Sequence, residues 1–388
     1  MTRQQERYES AKRLCALSPD YLFDYFGVTR VGEITNLDSI GVPVWSATRP
    51  LSHSISVTAG KSRDSFLAKA GAIAEAIELA LFEAASPPDS KAVYPLAKLK
   101  TFGFPMAASA KEEWYEIEQE PVLHYKSGVE ILFPSDLVWL NQKGDSPFLR
   151  SSNGQALGAT LEDAILQGLY ECVERDAMTI RDQIEKEQGT LSPLVDLYDA
   201  PDSIGLLVHK IDRAGLAVFV QRITFDIPLP IYCAYLLDPS ESHASFMGYG
   251  TSIFDCVAVE KAILEAIQGR AVYVRGARDD ITFSRYDQAK RAQQKTLISK
   301  FTLMQPRLKA DWSSYDITTI EELEWALFDI GPWAANMFVK TLGADFPAAK
   351  VFIPGLEGPP MQDWSPVRWE KIRENKNFDL LRSYSVRG

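Results

Sequence analysis

Residues Leu161 to Ile184 read LEDAILQGLYECVERDAMTIRDQI, and this stretch decides the class of the fold. Its composition predicts a long, mainly buried helix, opened by Thr160 as N-cap with Asp163 three residues later completing a capping-box pattern. Upstream lies a polar turn, Ser151-Ser152-Asn153-Gly154. Downstream, Leu216 to Thr224, Ile231 to Leu237 and Phe246 to Thr251 are rich in Val, Ile, Tyr and Phe between turn signals, which predicts successive antiparallel strands. A helix follows over Cys256 to Arg275.

Further out, Phe66 to Ala85 predicts another helix, with Phe66, Ala70, Ile73, Ile77 and Leu81 on one stripe and almost no helix breakers. Gln4 to Phe26 reads as one amphipathic helix, followed by strands at Gly41–Trp45 and Ile55–Val57. Short strands are expected at Val122–Tyr125 and Glu130–Phe133, a polar helical stretch near 285–300, and an apolar run at Val351–Ile353 leading into Pro354-Gly355-Leu356-Glu357-Gly358. The expected class is α/β (α+β): a mixed, largely antiparallel sheet packed by helices. No Ser/Gly-rich or Pro-rich linker interrupts the chain, so residues 1–388 are expected to form one unit, with N-terminal elements to 60, a core over about 60–280 and a C-terminal part from 281.

The three long helices share one feature. They carry Glu75 and Glu78, Glu171 and Glu174, and Glu265 and Gln268, always three positions apart, so each presents two oxygen-bearing heads in one direction. A single such pair in an acidic chain is usually a solvated face. On helices that are otherwise apolar, however, like charges are expensive unless a cation offsets them. Carboxylates without histidine suit a hard cation, and Mg2+ takes one or two of them together with phosphate oxygens. None of His53, His124, His209 or His243 lies three residues after a glutamate, which argues against a di-iron carboxylate site. Lys61, Arg175 and Arg270 lie beside the pairs as candidate phosphate partners. Gly60-Lys61-Ser62 imitates the end of a P-loop, but Ile55 stands where its first glycine is required, so that reading fails. Asp163 has two competing duties, closing the helix cap or reaching a metal.

Composition narrows the partners. A net charge of -11 argues against generic binding to nucleic acid or anionic membrane. Cys15, Cys172, Cys233 and Cys256 form no CxxC, so they read as reduced core thiols. The polar N-terminus and the lack of a long apolar run lead to the expectation of a cytoplasmic protein.

The segment Ser152-Asn153-Gly154 through Gly158, followed by Glu171-Cys172-Val173-Glu174-Arg175-Asp176-Ala177, closely resembles the signature of YcaO proteins. The resemblance extends to Gly60-Lys61, Glu75/Glu78, Glu265-Ala266-Ile267-Gln268-Gly269-Arg270 and Gly276-Ala277-Arg278-Asp279-Asp280. It implies an enzyme that uses ATP to phosphorylate a peptide backbone amide oxygen, opening that carbon to a nucleophile: a side chain gives an azoline, an external sulfur source a thioamide, an amine an amidine. By resemblance Glu75, Glu78, Asp163, Glu171 and Glu174 hold Mg2+, while Lys61, Arg175, Gln268 and Arg270 contact phosphate or nucleotide, and the carboxylate-bearing helices converge on the nucleotide. No catalytic nucleophile is implied. The implied partners are a precursor peptide, a TfuA-type protein, a sulfur donor and, as often in relatives, a second copy of the chain.

Departures from the family pattern stand at Gly71 and Leu79, where Ser-x-x-x-Glu-x-x-Glu-Arg is usual, at Ser62, and at Ala156 and Ala159. They keep open a non-catalytic scaffold as a reading of another class. The last proline is Pro366, so the proline-rich tail common in azoline-forming members is absent. Gly27-Val28-Thr29-Arg30-Val31, Gly41-Val42-Pro43-Val44, Arg49-Pro50 and Pro354-Gly355-Leu356-Glu357-Gly358 resemble the TfuA-associated group, which implies thioamide formation; an azoline-forming cyclodehydratase is the alternative.

Overall fold

The computed structural model describes residues 1–84, 90–104, 106–107, 110–141, 146–148, 150–189, 191–240, 244–276, 294–305, 307–343, 345–358 and 368–369. In chain order the elements begin with α1 (Arg3–Cys15), α2 (Pro19–Phe26), β1 (Arg30–Glu33), β2 (Val44–Thr48), β3 (Val57–Lys61) and α3 (Ser65–Glu83). Next come β4 (Ser90–Pro95), α4 (Leu96–Lys100), β5 (Trp114–His124), β6 (Glu130–Pro134), α5 (Ser135–Val138), β7 (Gln155–Leu157) and α6 (Leu161–Gln188). Then follow α7 (Asp202–Arg213), β8 (Ala217–Arg222), β9 (Ile231–Leu237), β10 (Phe246–Thr251), α8 (Asp255–Arg275), α9 (Gln294–Leu303), α10 (Thr319–Asp329), β11 (Phe338–Leu342) and β12 (Ala348–Phe352).

The chain condenses into two compact units, one of residues 1–80, 192–223 and 230–318, the other of 81–191, 224–229 and 319–388. The first crossing between them falls inside α3, which is why composition, reading for linkers, offers no sign of the division.

The first unit holds two three-stranded antiparallel sheets, β1-β2-β3 and β8-β9-β10, the latter with β9 in the centre. Strand β9 (IYCAYLL) is buried throughout, and its unbroken apolar run is the mark of a strand covered on both faces. Helix α8 lies close against β10: a Cβ at Gly248 would strike the backbone of Ala262 and Ala266, and one at Gly250 that of Ala258 and Ala262. Small residues four apart on the helix meet glycines two apart on the strand, and this near contact sets the height of α8 over the sheet.

The second unit is built on a six-stranded antiparallel sheet, β4-β5-β11-β12-β7 with β6 pairing on β5. Phe82, Leu99, Phe133, Trp139 and Phe352 form part of its core. Helix α6 packs on β12 and β7 at the same close range. Gly154, with φ +78°, faces the Val351 carbonyl, and Gly168 faces the Gly154 carbonyl, so a side chain at either would drive helix and strand apart. The polar turn before β7 is therefore a packing device as well as a turn.

Several boundaries differ from expectation. Gln4–Phe26 is two helices, because Ser18 caps a new start, accepting from the Tyr21 N–H at 3.1 Å, and Pro19 lacks the N–H that a continuing helix needs. The strands expected at Gly41–Trp45 and Ile55–Val57 lie a few residues later, as β2 and β3. The capping box at α6 is half formed. Thr160 Oγ1 accepts from the Asp163 N–H at 3.2 Å, while Asp163 Oδ2 accepts from the N–H of Ala159 rather than that of the cap residue. Residues 277–293, part of the expected polar helix, and the tail from Leu381 lie outside the described residues. Among the described residues no helix is long and apolar enough to cross a membrane.

Candidate functional site

In the first unit the functional side chains gather around strand β3, an edge strand whose outer polar groups need partners. Two helices supply them. The Ala59 N–H donates to Glu75 Oε2 of α3 at 3.0 Å, and the Ala59 carbonyl accepts from Gln268 Nε2 of α8 at 3.0 Å. One residue on, Gly60 touches α3 so closely that a Cβ there would strike the backbone of Ala68, Gly71 and Ala72. Gly71 faces Gly60, whose Cα would stand 3.4 Å from a Cβ at 71, an ordinary contact distance, so nothing in the packing explains glycine in place of the usual serine. Lys61 Nζ lies 3.5 Å from Glu265 Oε2, with both side chains partly exposed, so the pair is weak and its lysine can be drawn to another anion. Glu78 is half-buried on the same helix as Glu75, while Leu79 belongs to the core. Arg270 Nε lies 2.9 Å from Asp38 Oδ1 and both side chains are buried, which gives it a structural partner.

In the second unit the row on α6 is Asp163, Gln167, Glu171 and Glu174, at spacings of four, four and three that keep one face. Asp163 and Glu174 are buried. Asp163 holds the N–H of Ala159 and, at 3.4 Å, the side chain of Gln167, so its helix-start duty is visible in the geometry. Arg175 Nη2 lies 3.4 Å from Glu171 Oε1, and its Nη1 lies 3.3 Å from Met178 Sδ. Cys172 points the other way. Its thiol donates to the Val351 carbonyl at 3.4 Å, and burial pushes it far above the usual thiol range, which suits packing rather than nucleophilic chemistry. A small cavity of about 50 Å³ lies beside Cys172, Asn153, Lys350 and Glu357, with space for a few waters.

The donor sets fit a hard cation. Each unit offers carboxylate oxygens without sulfur or imidazole, set on rigid helices with hydrogen-bonded neighbours. Among the described residues no three His, Cys, Asp or Glu side chains are close enough together to enclose an ion. An ion held here would therefore complete its shell with phosphate and water oxygens, as Mg2+ does.

Sequence reasoning missed one cluster altogether. Asp176, two residues past Glu174, is buried and paired with the guanidinium of Arg368, while Glu357 accepts from the N–H groups of Arg368 and Trp369. Burial pushes Asp176 up to about 6 and Glu357 up to about 7, against the pull of Arg368. The residues involved are far apart in the chain, and no local spacing could reveal them.

Residues 59–357 match the model of a family described as YcaO cyclodehydratases, ATP- and Mg2+-binding. The chain belongs to the YcaO family. A protein of Rhizobium leguminosarum bv. trifolii, described as an uncharacterized protein in the tfuA 3' region, is 33% identical over 304 residues, 73% of this chain and 71% of that one. Among solved structures, the YcaO of Methanopyrus kandleri bound with AMPPCP and Mg2+ superposes with a TM-score of 0.69 at 19% identity, over 93% of this chain and 95% of the other. A heterocyclase in complex with substrate and cofactor superposes with a TM-score of 0.68 at 18% identity, over 95% of this chain and 57% of that chain. The α+β architecture read from sequence is thus that of the YcaO fold, and the chain carries the family's ATP and Mg2+ as its cofactors.

Proposed function

We propose that this YcaO protein uses ATP to activate a peptide backbone amide and exchanges its oxygen for sulfur, giving a thioamide. The observation that carries the choice of product is the relative from the tfuA 3' region, 33% identical over most of both chains. The amide oxygen attacks the γ-phosphorus and ADP leaves; a sulfur nucleophile then adds at the carbon, and the C–O bond breaks with release of phosphate. Mg2+, when bound, neutralises charge on the transferring phosphoryl group, the main catalytic contribution in such chemistry.

The chain's own residues would share the work. Glu75 and Glu78 on α3, and Glu171 and Glu174 on α6 with Asp163 at its start, would hold the cation. Lys61, in its weak pair with Glu265, would turn to phosphate, and Arg175 would do the same from its pairing with Glu171. Gln268, its NH2 group committed to Ala59, would present its oxygen. Arg270, paired with Asp38, would support α8 beside Gln268. The precursor peptide, a sulfur donor and a TfuA-type protein are the proposed partners. The four cysteines are free, in keeping with the reducing cytoplasm proposed as the compartment.

The test is product analysis. With a candidate peptide, Mg-ATP, a sulfide source and the partner protein, mass spectrometry is expected to show sulfur in place of oxygen at an amide. Loss of water without uptake of sulfur would establish an azoline-forming cyclodehydratase instead. Absence of any Mg-dependent nucleotide binding would support the scaffold reading.

A further inference from the structure

The carboxylate row of α6 is only as well placed as the helix that carries it, and the opposite face of that helix is gripped by a short segment far away in the chain. Asp176 accepts the Glu357 N–H at 2.8 Å and pairs with Arg368 Nη1. The second arm of Arg368, Nη2, lies 2.6 and 2.5 Å from the two oxygens of Asp226, and its guanidinium stands 5.1 Å over the Trp333 ring. Trp369 continues along the helix: its ring packs with Ile180 and Ile184, and its Nε1 donates to Glu187 Oε1 at 2.9 Å. The hold therefore runs from Asp176 to Glu187, about 16 Å of helix at 1.5 Å per residue.

Asp176 follows Glu174 by two residues, so the two side chains leave the helix roughly 200° apart. A pull on one face sets the rotation of the other. The contact of Gly168 with Gly154 and Val351 fixes how near α6 lies to its sheet, and Tyr170, donating to Glu322 at 2.8 Å, and Thr179, donating to the Gly358 carbonyl at 2.7 Å, tie down two points of its turn. A planar guanidinium bonded to Asp176 on one side and bidentate to Asp226 on the other adds a charged hold two residues from Glu174.

We propose that Arg368 is a positioning residue for the α6 carboxylates: by clamping Asp176 to Asp226 it sets the rotation at which Glu171 and Glu174 meet Mg2+. The inference rests on the reading that these glutamates hold the cation. Lysine cannot replace the clamp, because its single ammonium cannot serve both carboxylates in one plane.

The test compares full-length wild type, Arg368→Lys and the double variant Asp176→Asn/Arg368→Met. For each, the Mg2+ concentration that half-saturates ATP binding is measured, with ATP binding in EDTA and a thermal melt beside it. The double variant removes both partners of the buried Asp176–Arg368 pair together, and its asparagine oxygen can still accept the Glu357 N–H, so its melt should stay nearer that of wild type than would the melt of a variant that strands a single charge. Its Mg2+ requirement should nevertheless rise about tenfold, as when an outer-shell partner of a metal site is lost, with ATP binding in EDTA unchanged. Arg368→Lys should fall between, and decides the matter if the double variant does not fold. A folded variant with the Mg2+ dependence of wild type would overturn the proposal, as would a Mg2+ effect that merely tracks loss of stability. Wild type without Mg-dependent ATP binding would sink the underlying reading of α6, and the clamp's role with it.

Discussion

Replacing Gly60 by alanine puts a methyl group where strand β3 meets the backbone of α3. The new Cβ would collide with Ala68 O, Ala72 N and the carbonyl carbon of Gly71, all backbone atoms that no rotamer change can move aside. Helix α3 would have to retreat, and overpacking of this kind costs about 1–3 kcal/mol. The retreat would also loosen the 3.0 Å bond from the Ala59 N–H to Glu75, a bond to a charged group contributing about 1.5–3 kcal/mol. A loss of roughly 2.5–6 kcal/mol follows from these two terms. The control is Gly205→Ala on the exposed face of α7, where a Cβ meets nothing within 4 Å and should stabilise by about 0.5–1 kcal/mol. Urea unfolding of both variants, with ATP titrations on the folded protein, measures the contrast. Gly60→Ala within 1 kcal/mol of wild type, or with unaltered Mg-ATP affinity, would refute the argument that this contact places Glu75.

Four further outcomes are expected. Gly71→Ser, which restores the usual family residue, should be tolerated within about 0.5 kcal/mol, since its Cβ stands at 3.4 Å from Gly60 Cα; denaturation checks it. Asp38→Ala strands the buried Arg270 and should cost about 3–5 kcal/mol, read in the same way. Glu357 is pushed from its usual 4.5 to about 7, so it binds its proton more tightly folded than unfolded. Its contribution is present below about pH 4.5 and lost as pH rises to about 7, at most about 3.5 kcal/mol at roughly 1.4 kcal/mol per unit. Glu357→Gln keeps an oxygen for the two N–H donors and should flatten the fall in stability between pH 5 and 8 seen by thermal melts. Finally, native thiol labelling should spare Cys172 and Cys233 while reaching the partly exposed Cys15 and Cys256; rapid modification of Cys172 would contradict its packing role.

Much of this was legible because α3, α6 and α8 are long, nearly free of helix breakers and marked by acidic pairs at a spacing of three. The continuous apolar run of β9 was equally plain. Other signals were present and not used: Ser18-Pro19 is a helix start, and Ile204, Leu207 and Ile211 at helical spacing mark α7. Strand β7 has three residues, too few for any periodicity, and its place is set by its pairing with β12. What local spacing cannot carry is pairing across the chain. Nothing near Arg270 points to Asp38, and nothing near Asp176 points to Arg368.

Calorimetric titration of ATP with and without Mg2+, repeated on Glu171→Gln and Glu174→Gln, tests the central claim most directly, because it needs neither peptide nor partner. The structure leads us to expect Mg-dependent binding in the wild type that is weakened at least tenfold in each variant while the melting temperature holds. Equal binding by wild type and both variants, or no binding at millimolar nucleotide, would contradict the assignment of this carboxylate row to Mg-ATP.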